Sequence, residues 1–218
     1  MSGDVISVVV CVHNGATFLR DALDSIAAQQ HAALDVIVID DGSHDGSAAI
    51  ATSHPLRPTV VTQEQQGHTA ALNHGIRLAT GQFLAFVDHD DCWPAGRLHD
   101  MLDALSRDPA ADAVYGKVVN TNSALNPVAE PIAVQLAGAM LIRRDSALRV
   151  GEFRTDVTHA FILDWISRAR ASGLRFIPVD RTVLLRRVHG ENIGMRAGSA
   201  AQRDLLRVMR DHLRRQRS

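Results

Sequence analysis

Apolar residues follow two rhythms along this chain, and the two alternate. Val5 to Val12 is almost wholly β-branched and apolar, Leu34 to Ile39 repeats that theme, and Ala16 to Gln30 between them carries apolar residues at helical spacing. The same alternation predicts a helix near Gly46 to Thr52, a strand at Thr59 to Thr62, a helix at Thr69 to Ala79 and a strand ending at Asp88. Strand, helix, strand in series requires right-handed crossovers and a largely parallel sheet. Pro94, with a fixed φ and no amide donor, is suited to open a helix running to about Ser106, which Asp108-Pro109 ends.

The second half is less regular. It reads as a strand at Ala113 to Val119, a polar loop at Asn120 to Glu130 that is expected to move, a short buried segment at Gly138 to Ile142 and a short helix at Arg144 to Arg149. Phe161 to Ser172 has Phe161, Ile162, Trp165 and Ile166 at helical spacing, with Gly173 as its stop. Strands at Arg175 to Val179 and Thr182 to Val188 follow. Ala200 to Arg217 then places Leu205, Leu206, Met209 and Leu213 on one helical face with arginines around the rest. No repeat or linker divides residues 1–218, so the expectation is a single α/β domain, with a mixed, mainly parallel sheet flanked by helices.

Composition narrows the classes. A chain of 218 residues suits one domain with a sizeable core. A net charge of −1 leaves no electrostatic footprint for nucleic acid and points to small ligands. Cys11 and Cys92 have no metal-type spacing, which fits a reducing cytoplasm. No apolar run approaches the ~18 residues of a membrane span, so a soluble protein is expected, with peripheral membrane association left open. The basic C-terminal helix is expected to pack or to form a homodimer before it contacts a membrane.

The chemistry starts where Phe83-Leu84-Ala85-Phe86-Val87 runs into Asp88-His89-Asp90-Asp91. A buried strand emerging into three carboxylates places them at its carboxyl end, where open α/β sheets bind ligands. Their repulsion is relieved by a divalent cation, which also screens a diphosphate. Ile37-Val38-Ile39-Asp40-Asp41-Gly42-Ser43 ends a second strand the same way. One carboxylate there can accept from a base or ribose hydroxyl, while Ser43 or Asp45 caps the next helix. Val12-His13-Asn14-Gly15 contains one glycine, so the dinucleotide fingerprint is missing, and no P-loop occurs.

Four pieces in order resemble family 2 glycosyltransferases of the GT-A fold: Val8 to Asn14, Val38 to Ser43, Gly67-His68-Thr69-Ala70-Ala71-Leu72-Asn73-His74-Gly75-Ile76, and Phe86 to Asp91. The resemblance implies a nucleotide-sugar-binding half at 1–115, an acceptor-side half at 116–198 and the basic helix at 199–218. By it, Val12, His13 and Asn14 hold the base with Asp40 and Asp41, and Gly67 and Asn73 belong to the donor site. Asp88-His89-Asp90 becomes a D-x-D motif, with Asp90 the ligand of Mn²⁺ or Mg²⁺ and Asp88 near the ribose and the metal's waters. Leu72 departs from the family's frequent arginine. The family's Glu-Asp is absent from Phe161 to Arg168, which leaves Asp164 as the base of an inverting transfer, or as a partner of Arg168 four residues on. His189 is implied as a metal or diphosphate ligand, and one of Arg186 and Arg187, here Arg187, as a phosphate contact. Trp93 and Trp165 are open to sugar stacking or core packing.

The reaction implied is transfer from a nucleotide diphosphate sugar to an acceptor hydroxyl. UDP is the first choice of nucleotide, with GDP and dTDP open, and the acceptor is a saccharide, lipid, peptide or small metabolite. The alternatives are a nucleotide-sugar-binding protein without turnover and a sugar-phosphate nucleotidyltransferase.

Overall fold

A computed structural model describes residues 4–31, 33–190 and 198–215. The elements, in chain order, are β1 (Ile6–Val12), α1 (Leu19–Ala27), β2 (Leu34–Asp40), α2 (Ser47–Ser53), β3 (Thr59–Thr62), α3 (His68–Leu78), β4 (Phe83–Asp88) and α4 (Arg97–Arg107). Then follow β5 (Ala113–Thr121), β6 (Ile132–Ala133), β7 (Met140–Arg143), α5 (Arg144–Val150), α6 (Phe161–Ala171), β8 (Phe176–Arg187) and α7 (Gly198–Arg215). The strands form one sheet in the order β3-β2-β1-β4-β7-β5-β6, with β8 also paired to β5. β1 to β4 are mutually parallel, β7 runs against both β4 and β5, and β8 is parallel to β5. The expected mixed, mainly parallel α/β sheet is therefore present.

Every residue of β1 is buried, and its two faces feed two cores. Ile6, Val8, Val10 and Val12 pack with Leu19, Leu23 and Ile26 of α1 and Leu98, Met101 and Leu105 of α4. Val9 and Cys11 face the other way, toward Ala71, Leu72 and Ile76 of α3 and Ile162, Trp165 and Ile166 of α6. Helix α3 lies close on β1 because Gly75 has no side chain: a Cβ there would overlap Val9 Cγ1.

Three expectations change. Pro94 does not open a helix; α4 begins at Arg97 after Gly96, whose φ of 77° breaks the run, and the Arg97 amide donates to the Pro94 carbonyl in a turn. The two late strands are one, β8, whose pairing with β5 shifts register around Lys117 and absorbs Asp180-Arg181. β5 runs on through Asn120 to Thr121, and the polar stretch after it opens on a turn in which Asn122 Oδ1 accepts from the amides of Ala124 and Asn126. Gly173 does stop α6, at a φ of 81°.

Candidate active site

The sheet brings the predicted acids together. Val12 pairs with Asp40 and Cys11 with Asp88, so the ends of β2 and β4 flank the end of β1. The loop leaving β1 is stitched to the loop leaving β2: the Asn14 amide donates to Ser43 Oγ (2.9 Å), the Gly15 amide to Ser47 Oγ (3.0 Å) and the Ala16 amide to Asp45 Oδ2 (2.8 Å). His13 donates from Nδ1 to the Asp41 carbonyl at 2.8 Å, which leaves Nε2 to accept from Asn14 and Gln65. His89 rests against Gly15, where a Cβ would overlap the imidazole.

Asp40 and Asp41 have separate tasks. Asp40 is fully buried; Oδ1 accepts from the Ser43 amide at 2.9 Å, while Oδ2 has no hydrogen-bond partner among the described residues. A buried carboxylate oxygen left unpaired is costly, and a donor from a ligand would satisfy it. Asp41 is spent on structure: its carboxylate accepts from Gln63 Nε2 and from the amides of Gln66 and Gly67 at 2.7–2.8 Å, fixing the loop that leads into α3. Gly67, at a φ of 93°, starts that helix. Asn73 is likewise internal, since its amide exchanges two hydrogen bonds with the backbone of Phe153 at 2.8 and 2.9 Å.

Asp88, Asp90 and Asp91 each offer an oxygen such that all three atoms lie within 4.8 Å of one another. Asp88 is exposed, and His68 Nε2 approaches its Oδ1 at 3.5 Å. Asp90 lies 2.9 Å from His189 Nε2, which puts the histidine beside the cluster. Asp91 is buried, and burial together with the charges of Asp88 and Asp90 pushes its carboxyl well above the usual range. A hard, oxygen-rich set of this kind with an imidazole beside it fits a divalent cation. Neither cysteine competes as a nucleophile. Burial raises the Cys11 thiol and takes Cys92 to about 11.

Arg187 does not reach toward phosphates. Its side chain is fully buried, with Nη2 on Asp21 (2.9 Å) and the guanidinium 4.2 Å from the Phe18 ring, while its backbone amide donates to Asp91 Oδ1. Residues alternate along β8, so Arg186 takes the opposite face, near enough to Asp91 to favour its ionised form. Both tryptophans are core: Trp93 lies under Arg97 and Trp165 donates to the Gly151 carbonyl.

Asp164 stands in the first turn of α6 and is completely buried. Arg168 Nε donates to its Oδ2 at 2.8 Å, and Arg154 Nη1 lies 3.6 Å from Oδ1. The ion pair four residues apart is thus formed. Sequence reasoning passed over His68, which faces Asp88 from the start of α3 and packs edge-on against Phe161 of α6. Its signal was its place directly after Gly67. Phe18, seated between His189 and Arg187, gave none, because that contact spans almost the whole chain.

Residues 7–162 match the family model described as Glycosyl transferase family 2. The chain belongs to that family. An uncharacterized glycosyltransferase of Rickettsia typhi is 31% identical over 103 residues, which cover 47% of this chain and 32% of the relative. The putative glycosyltransferase EpsH of Bacillus subtilis is 38% identical over 94 residues, covering 42% and 27%. This family 2 chain matches about a third of the length of those relatives. Among solved structures, the mannosyltransferase PcManGT of Pyrobaculum calidifontis, in complex with GDP-Man and Mn²⁺, superposes with a TM-score of 0.78 at 24% identity, over 98% of this chain and 65% of that one. TarS of S. aureus, residues 1–349 with UDP-GlcNAc, gives 0.81 at 21% identity, over 95% and 65%. The fold of this family 2 chain is that of the GT-A glycosyltransferases.

Proposed function

We propose that this family 2 chain transfers a sugar from a nucleotide diphosphate sugar, a UDP-sugar first, to an acceptor hydroxyl with inversion. The observation that carries the reading is the convergence at one sheet edge of a buried, unpaired Asp40 Oδ2 with the Asp88-Asp90-Asp91 cluster and His189. Asp40 would take the base, between the backbone of Val12 to Asn14 and the loop that Asp41 holds. Asp90, Asp88 and His189 would hold Mn²⁺ or Mg²⁺, which when bound supplies positive charge against the departing diphosphate. Asp164 would accept the acceptor's proton once Arg154 and Arg168 release it; buried and ion-paired as it stands, it is out of an acceptor's reach.

That closure of Asp164 favours a second reading, nucleotide-sugar binding without turnover. Asp164→Asn separates the two. The base reading expects sugar transfer or donor hydrolysis to fall by two or more orders of magnitude while UDP affinity and thermal stability hold. Loss of stability with unchanged residual turnover would make Asp164 an anchor of α6 only.

A further inference from the structure

The inward face of α7 is fully engaged. Val208 is buried with Val157 and Ala160, Asp204 accepts from the amides of Thr158 and His159 (2.8 and 2.9 Å), Asp211 pairs with Arg154 (2.7 Å) and His212 with Ser167 (2.5 Å). Docking of the helix therefore buries none of its four largest apolar side chains. Leu205, Leu206, Met209 and Leu213 are instead 42%, 66%, 52% and 52% exposed. Steps of one, three and four keep them on one face, a stripe about 12 Å long at 1.5 Å per residue. Arg203, Arg207, Arg210 and Arg214 step by four, three and four and form a row beside it. Arg207 is shared with Asp156, and Arg210 Nε lies 3.7 Å from Asp211 Oδ1.

The two aspartates of α7 serve the inward face, so the helix's own outward residues join an apolar stripe to a row of arginines, of which Arg207 and Arg210 are also flanked by Asp156 and Asp211. We propose that this face of α7 seats on an anionic lipid surface, the leucines and methionine entering the acyl boundary and the arginines meeting headgroup phosphates. Charge decides between occupants. A second copy docked stripe on stripe would bring its own arginine row up to this one, like charge against like. An anionic bilayer supplies both halves. The chain as a whole carries a net charge of −1, so attraction to such a surface is local to this helix.

The test is co-sedimentation of the full chain with vesicles of phosphatidylcholine alone and of phosphatidylcholine with phosphatidylglycerol. Binding to the anionic vesicles only is expected, weakened by 0.5 M salt to a fraction of its low-salt value. Arg210→Gln with Arg214→Gln should lower partitioning about thirtyfold. Leu206→Ser with Met209→Ser and Leu213→Ser should abolish it while leaving the circular dichroism spectrum and melting temperature unchanged. Absence of wild-type binding overturns the proposal, as does binding that survives the serine variant, since that is adsorption by charge alone. A concentration-dependent dimer in sedimentation velocity, abolished by the same serine variant, assigns the face to self-association and also overturns it.

Discussion

Asp40 and Asp90 carry the least replaceable chemistry of the site, for opposite reasons. Asp40 is enclosed with one oxygen unpaired, whereas Asp90 is close to two further carboxylates and to His189. If the proposed metal site is right, removing Asp90 takes away a negative ligand as well as the partner of the His189 imidazole. Asp90→Ala is expected to abolish Mn²⁺-dependent UDP binding in titration calorimetry while the fold persists; binding at wild-type affinity would remove Asp90 from the metal's shell. At this scale the sequence was legible in part. The acids at the strand ends were readable because an apolar run that stops in carboxylates has one address in a parallel sheet. The burial of Asp41, Asn73 and Arg187 was not, because the partners of each, the loop at 63–67, the Phe153 backbone and Asp21, are brought near only by the tertiary fold.

Elements hold these residues at fixed spacing through close contacts. Gly75 lets α3 lie on β1, and adding a methyl there drives it into Val9. Gly75→Ala gains helix propensity but overpacks a filled interface, and a loss of about 1–3 kcal/mol in urea unfolding is expected. The segment before α6 is tied to α7 electrostatically. Arg154 donates to Asp156 (2.7 and 2.8 Å) and to Asp211 (2.7 Å). Its hydrogen bonds hold the Asp156 carboxyl at about 2, below its ordinary 3.8, and lower Asp211 as well. A depressed folded pKa contributes stability that is present above about 4 and lost as pH falls toward about 2. The Asp156 side chain is 44% exposed, so screening keeps its share below about 1 kcal/mol. Urea midpoints should fall from pH 4.5 to pH 2.5, and Asp156→Asn should flatten that fall slightly; an unchanged slope would show the pair to be idle. Most elements were legible from period alone. The α4 start and the unity of β8 were not, since Gly96 and a register shift act through backbone geometry that apolar spacing does not encode.

Across the molecule, the proposed donor site is a seam between loops that belong to different crossovers, so a ligand spanning them should brace the whole sheet edge. On that proposal a nucleotide with its metal would bind the native state alone. Apparent stability should therefore rise by roughly 2.7 kcal/mol at a hundredfold excess over Kd, visible as a higher melting temperature with UDP and Mn²⁺ together than with either alone. Equal melting temperatures in all four conditions would count against the site. The α/β class was readable from the first half of the chain, where each strand and helix has its own rhythm. The placing of β7 between β4 and β5 was not, because a four-residue antiparallel strand leaves too short a pattern.

The backbone amide of Arg187 satisfies Asp91, and its guanidinium reaches back 166 residues to Asp21 on the first helix. During synthesis, strands one to four exist long before that arginine leaves the ribosome. The acidic turn is therefore finished last, and a nascent chain halted before β8 holds strands β1 to β4 and their end loops with Asp91 still lacking that amide.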